Sequence, residues 1–379
     1  MKLKFVTGFL IIASLFLGSS HARDLSLNQL MAQVGNEMTT LFPLIYAHRE
    51  LTANEISDIE SRLDRMSTLF DQAGPLIDNR SPAYGISYQY IKPYLREIID
   101  AFKAKKIDYA RSRMYGISAI CTSCHTQDTH LRTMFGGAKR KAFDSDYTYA
   151  EFNYLTRNYH DAELYFDKYL KNKEHKTELQ IIKPIQRLIT IYTQVYNRPG
   201  DGAKRISKYK NLSGQTKHTK KALTGWVSGL IALDASGAKL VNKPDFKTLE
   251  SYVRKYLGKL DYPLSELYLD EDEQISRVWL RGQLYHYLNR NPKAEEIPKI
   301  IFWLSICDRS TDDNFYFSLA DLYLKDCVKN YSSHPYANKC YSEYKEFVTS
   351  AYSGSGGIFI PIEIEDELFE MKQMLNEQE

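Results

Sequence analysis

The chain has 379 residues with 50 Lys and Arg against 47 Asp and Glu, a formal net charge of +3. No global field therefore selects a polyanion such as nucleic acid, and any charged docking must be local. Tyr is abundant at 29 residues while Gly and Pro are sparse at 19 and 12, which favours helices with broad aromatic packing faces over a turn-rich β protein.

Met1-Lys2-Leu3-Lys4 opens the chain, an apolar run follows from Phe5 to Leu17, and Gly18-Ser19-Ser20-His21-Ala22 precedes Arg23-Asp24. A basic start, a short apolar core and small residues before the cut describe a secretory signal peptide over residues 1–22. An uncleaved anchor is the alternative, but the run is shorter than the ~18 residues a spanning helix needs. No Cys stands near the cut to take a lipid, and no later stretch is apolar enough to span a bilayer. The mature chain is thus expected to be soluble and periplasmic or otherwise exported, with a net charge of +1 once Lys2 and Lys4 are gone. Its length suggests two domains.

Residues 23–136 read as four amphipathic helices. Leu27, Leu30, Met31, Val34, Met38 and Leu41 recur at helical spacing from about Ser26 to Phe42, and Pro43 is expected to bend or end that helix. The second helix has a full start signal, with Thr52 as N-cap, Glu55 closing a capping box and Leu51 and Ile56 as a hydrophobic staple. Ile59, Leu63, Met66 and Phe70 continue its buried face. Gly74-Pro75 and Asn79-Arg80-Ser81-Pro82 read as the next loop. The third helix carries Tyr90, Tyr94, Ile98 and Phe102, with a kink expected at Pro93. The fourth starts near Asp108 and runs through Met114, Ile117 and Ile120 into Cys121-Thr122-Ser123-Cys124-His125. Short loops between such helices predict an antiparallel four-helix bundle.

Residues 137–146, around Gly137-Ala138-Lys139-Arg140-Lys141, read as a linker. Beyond it, over 147–379, the pattern stays helical, so the fold class is all-α. Ala150, Tyr159, Ala162 and Phe166 stand in the register of a tetratricopeptide repeat. Helix-like stretches follow near 178–196, 219–234, 245–257, 273–288, 296–307, 315–330 and 336–351, as expected of a helical-repeat domain. Residues 353–357 read as a flexible joint, 358–364 as an extended apolar segment, and the acidic end as a closing helix.

Cys-x-x-Cys-His occurs once, at 121–125. In this motif two thiols add across the vinyl groups of haem and the adjacent His becomes the proximal iron ligand. Attachment takes place in exported compartments, so motif and signal support one another. Other readings compete. A thioredoxin-like pair needs a strand before the helix, a structural zinc needs two further ligands, and a plain disulfide leaves His125 without a role. The motif therefore predicts one covalent haem c on Cys121 and Cys124, with its iron on His125.

At these residues the chain resembles the class II cytochromes, cytochrome c prime and its Met-ligated relatives, whose motif also lies late in the fourth helix of a bundle. The resemblance covers about residues 24–136, under a third of the chain. It implies a Met in the first helix as sixth ligand, for which Met31 matches best; Met38, seven residues on, shares nearly the same face, and an open iron is the remaining choice. Either Met also serves as core filler. His48 and His130 are bis-His alternatives, each more readily an exposed polar residue. Thr129 stands where the family has a basic residue, with Arg132 further on, which changes the expected surroundings of the haem but not its attachment. Family members form dimers, so the resemblance leaves a dimer open.

Cys327 and Cys340 flank the turn Tyr331-Ser332-Ser333-His334-Pro335 between two predicted antiparallel helices, a placement that suits a disulfide; two buried thiols are the alternative, and Cys307 is left over. Basic residues gather at Lys139–Lys141 and at Lys204, Arg205, Lys208, Lys210, Lys217, Lys220 and Lys221, as a solvated loop or as a docking patch. No phosphate loop, nucleophilic triad or base-reading helix is present in the sequence. These features predict an electron carrier, not an enzyme, serving a redox protein partner. A haem-based sensor of a small gas is the runner-up and a haem enzyme the third. A distal Met favours the first, an open apolar pocket the second, and a distal acid–base group the third.

Overall fold

The first helix starts at a reciprocal cap. The Ser26 hydroxyl accepts the Gln29 N–H at 3.4 Å, and the Gln29 side-chain oxygen accepts the Ser26 N–H at 2.9 Å. The structure is a computed structural model that describes residues 25–46, 49–77, 82–125, 138–172, 174, 176–212, 215–237, 245–258, 270–311 and 319–377. Among these residues the chain is all-α, with one two-stranded hairpin. The signal segment 1–22, His48, Thr129, His130 and Arg132 lie outside them.

Helix α1 (Leu27–Ile45) contains Pro43 in its final turn, where the ring forfeits only the bond its N–H would have made. Helix α2 (Ala53–Ile77) opens on the expected box, with the Thr52 N–H donating to Glu55 Oε2 at 2.8 Å and the Glu55 N–H to Thr52 Oγ1 at 3.3 Å. It then runs through Gly74-Pro75, correcting the loop expected there. The Tyr88 hydroxyl fills the space a Gly74 Cβ would need, so this glycine serves close packing and not a turn. Helix α3 (Pro82–Lys103) includes Pro93, and Lys105, at φ 57°, takes the left-handed turn into α4 (Ile107–His125).

Consecutive members of this set are antiparallel neighbours. Arg62 and Arg65 reach Glu37 at 2.8 and 3.0 Å between α1 and α2, and Lys92 pairs with Asp71 between α2 and α3. The Tyr94 hydroxyl donates to the Arg113 carbonyl at 2.6 Å between α3 and α4. Between them Met38, Leu41, Ile59, Leu63, Met66, Leu95, Ile98, Met114 and Ile117 are buried in one core. Each such side chain contributes about 1.5–3 kcal/mol of transfer free energy.

The segment read as a linker packs into that same core. Ala138 and Phe143 are buried beside a short 3₁₀ turn at Arg140–Ala142. Helix α5 (Asp146–Leu155) is shared between two cores. Tyr149, Phe152 and Leu155 join the first, where the Phe152 ring meets Phe42 edge-on at 5.7 Å. Ala150 and Tyr154 join the second, with Phe166 from α6 (Tyr159–Lys171). Across this seam Arg187 pairs with Glu151 at 3.3 Å and lies over the Tyr154 ring at 5.1 Å.

The second core is built from α7 (Glu178–Thr190), which continues as a π-helical turn at Ile191–Val195, then α8 (Pro199–Ser207), α9 (Lys217–Ala235), α10 (Phe246–Tyr256), α11 (Glu271–Arg290), α12 (Ile297–Arg309), α13 (Ala320–Asn330) and α14 (Pro335–Ala351). Helix α8 went unread in the sequence because its composition, Pro199-Gly200-Asp201-Gly202, mimics a loop. Helix α11 is buried continuously from Arg277 to Leu288, so it lies at the centre of the layer and shows no amphipathic stripe. Its Arg281 pairs with Asp308 at 2.7 Å with both side chains fully buried, and Asp308 also accepts the Leu319 N–H at 2.9 Å.

Cys327 and Cys340 are joined by a disulfide between α13 and α14, with Cα atoms 6.2 Å apart, as their placement about the turn leads one to expect. The joint and extended segment expected at 353–364 are instead a hairpin, β1 (Ser353–Gly354) with β2 (Gly357–Ile358), followed by helix α15 (Ile362–Asn376). Helix α15 docks Leu368, Met371 and Leu375 against the domain. Its Glu367 is held by Lys325 at 2.7 Å, Lys329 at 2.9 Å and the Tyr344 hydroxyl at 2.9 Å.

Candidate functional site

The motif Cys121-x-x-Cys124-His125 occupies the last turn of α4. Cys121, Cys124 and His125 all fall within α4, at offsets of three and four residues. Cys121 is partly buried against the first core, next to Ile120, which is almost fully buried. Two thiols three positions apart with an imidazole beside the second are the donor set that a covalent haem takes, and Cys121 has apolar neighbours.

The level of each helix at this end follows from the contacts. Leu30 of α1 packs with Ala73 and Ile77 of α2, and Tyr84 and Tyr88 of α3 cover the same cluster. Gly74 meets Tyr88, while Tyr94 meets Gly116 one to two turns before the motif. In this ladder Met31 stands at the end of the helices where α4 delivers Cys121, and it packs on both neighbouring clusters. Met38 lies two turns further in, only 2% exposed, amid Leu63, Met66 and Met114. Seven residues of helix are about 10 Å along the axis, so the two methionines share a face but not a level. Tyr46, which caps the far end of α1, stacks edge-on against Tyr115 at 5.1 Å, and the Arg111 guanidinium donates to the Arg49 carbonyl at 3.0 Å. Helices α1 and α4 touch far less than the other adjacent pairs.

Sequence reasoning left Tyr84 and Tyr88 out of this site. Their offset of four residues places both on one face of α3 at this end, and that spacing was the available signal. The basic cluster is partly consumed by the protein itself: Arg205 lies 3.5 Å from Glu163, Lys221 3.3 Å from Glu271 and Lys204 3.7 Å from Asp201. Among the described residues no group of three or more His, Cys, Asp or Glu could hold a metal ion, and no helix is long and apolar enough to cross a membrane.

No protein-family model, curated protein or solved structure matches this chain.

Proposed function

We propose that this chain is an exported mono-haem c-type cytochrome that passes electrons to or from a redox protein partner. In this proposal α1 to α4 form an antiparallel bundle that holds haem c, and residues 147–379 form a helical-repeat, tetratricopeptide-like docking domain. One observation carries the reading: Cys121, Cys124 and His125 share the terminal turn of a helix, at the end of the helical set where Met31 stands. Bound haem would supply a one-electron iron couple, with a raised potential under Met–His ligation.

The chain's own residues have simple tasks. Cys121 and Cys124 would anchor haem, His125 and Met31 would ligate its iron, and Ile120 with Tyr84 and Tyr88 would keep water from that end. The docking part draws support from the successive antiparallel pairs α5–α6, α8–α9, α12–α13 and α13–α14, since stacked helix pairs build extended surfaces for other proteins.

The test is acid extraction of protein made in a host competent for c-type maturation. Haem that stays on the denatured chain, and is lost from Cys121→Ser/Cys124→Ser, is the expected result; haem that washes out of the intact sequence ends the proposal.

A further inference from the structure

Five of the eleven large apolar side chains that stand exposed among the described residues fall within residues 352–369. Phe359 is 76% exposed, Phe369 65%, Ile362 62% and Ile358 55%. These residues belong to one piece of structure. The Phe359 N–H donates to the Tyr352 carbonyl at 3.1 Å, closing the base of the hairpin, and the chain then enters α15 within three residues. Ile362 and Phe369 are seven residues apart, on one stripe of α15.

That stripe cannot turn inward. The opposite face of α15 is committed through Leu368, Met371 and Leu375, and Glu367 is clamped by Lys325, Lys329 and Tyr344. With large side chains exposing 150–250 Å² when bare, the patch presents on the order of 500 Å² of apolar surface. A patch of that size is often functional, and it would fill most of one side of a standard interface of about 800 Å² per partner.

Charge selects the occupant. Glu363, Glu365, Asp366 and Glu370 stand exposed around the patch, with Lys372 the one base in α15. A second copy presenting the same face would set carboxylate against carboxylate, which costs affinity, and an anionic membrane would be repelled in the same way. We propose that this face docks a cationic amphipathic segment of a partner protein, with apolar side chains on Phe359, Ile362 and Phe369 and Lys or Arg on the surrounding carboxylates. The proposal rests on the docking role of residues 147–379 and not on the haem.

The experiment titrates the full chain into a fluorescein-labelled 18-residue Leu/Lys amphipathic peptide and follows anisotropy. Saturable one-to-one binding is expected, weakened at least tenfold by Phe359→Ser/Phe369→Ser and by Glu363→Lys/Glu365→Lys. Ile231→Ser, which removes an exposed apolar residue elsewhere, should leave it unchanged. All five substituted positions are exposed, so the apolar variants should melt with the parent, while the charge reversal in the first turn of α15 should lower the melt only slightly. Absence of saturable binding, or equal binding by the double variants, overturns the proposal. So does a dimer in sedimentation that Phe359→Ser/Phe369→Ser dissolves, which makes the face a self-interface, or co-sedimentation with phosphatidylcholine vesicles lost in that variant, which assigns it to lipid. The readout involves no haem signal, so loss of haem on acid extraction would sink the electron-carrier proposal and leave this titration standing.

Discussion

Replacing Met31 and Met38 separately by alanine distinguishes an iron ligand from core filler. Met38 is 2% exposed and enclosed by the first core. Its truncation should cost about 2–5 kcal/mol, and at ~2–4 °C per kcal/mol for a domain of this size the melting temperature should fall by roughly 4–20 °C. Met31 is only partly buried, at the margin between two clusters, so its truncation should cost about 1 kcal/mol of packing. The spectra should behave in the opposite way. On the proposed haem ligation, Met31→Ala should turn a six-coordinate low-spin iron into a high-spin one that takes carbon monoxide, while Met38→Ala should leave the spectrum as it was. Visible absorption with and without carbon monoxide, paired with calorimetry on the same samples, reads both. If Met31→Ala keeps the parent spectrum, or Met38→Ala is the variant that opens the iron, the argument from axial level is wrong.

The remaining predictions test the second core. Cys327 and Cys340 close a loop of 13 residues, worth about 3 kcal/mol on the chain-entropy account; Cys327→Ala/Cys340→Ala should lose that much in urea denaturation, and an unchanged midpoint would refute it. Burial pushes the Cys307 thiol up to about 12, so in Cys121→Ser/Cys124→Ser protein iodoacetamide near pH 8 should leave the folded chain unmodified and alkylate one site after unfolding. Three alkylated sites would mean that Cys327 and Cys340 are not bridged. Burial alone would raise the Glu367 carboxyl, but Lys325, Lys329 and Tyr344 outweigh it and hold it at about 2, below its ordinary 4.5. A carboxylate depressed in this way adds stability above pH 4.5 that disappears as the pH falls towards 2. Glu367→Gln should therefore cost on the order of 2–3 kcal/mol at neutral pH and flatten the acid limb below pH 4.5, read by hydrogen exchange in α15; an unaltered acid limb would exclude the clamp.

Local structure was legible in the sequence because its signals act over a few residues. The Thr52–Glu55 box and the Ser26 start depend on bonds three residues long. The approach of Cys327 to Cys340 depends on one short turn. Helix periods likewise gave most of α1 to α14 within a few residues. The same rules misled where a residue type has two uses. Gly74-Pro75 has the composition of a loop, yet Gly74 serves the approach of Tyr88. Pro199-Gly200-Asp201-Gly202 has that composition too, yet opens α8, with Gly202 packed against Tyr192.

What the tertiary structure alone decided is which helix lies beside which, and at what height. Helix geometry assigns Met31 and Met38 to one face about 10 Å apart, but only contacts with α2 and α3 show which of them stands at the end where α4 carries Cys121, because that depends on partners distant in sequence. The boundary near residue 140 is marked in composition by glycine and charge. The structure instead threads Phe143, Tyr149 and Phe152 into the first core and Ala150 and Tyr154 into the second, so a chain cut at 136 would strip side chains from around Phe42. Helix α11, buried on every side, has no stripe to betray its place. The exposed face of α15 reads as an ordinary amphipathic helix until Leu368, Met371 and Glu367 are seen to occupy its inner side. A sequence records how apolar a residue is; burial depends on which other surfaces reach it, and those are set only when the whole chain has packed.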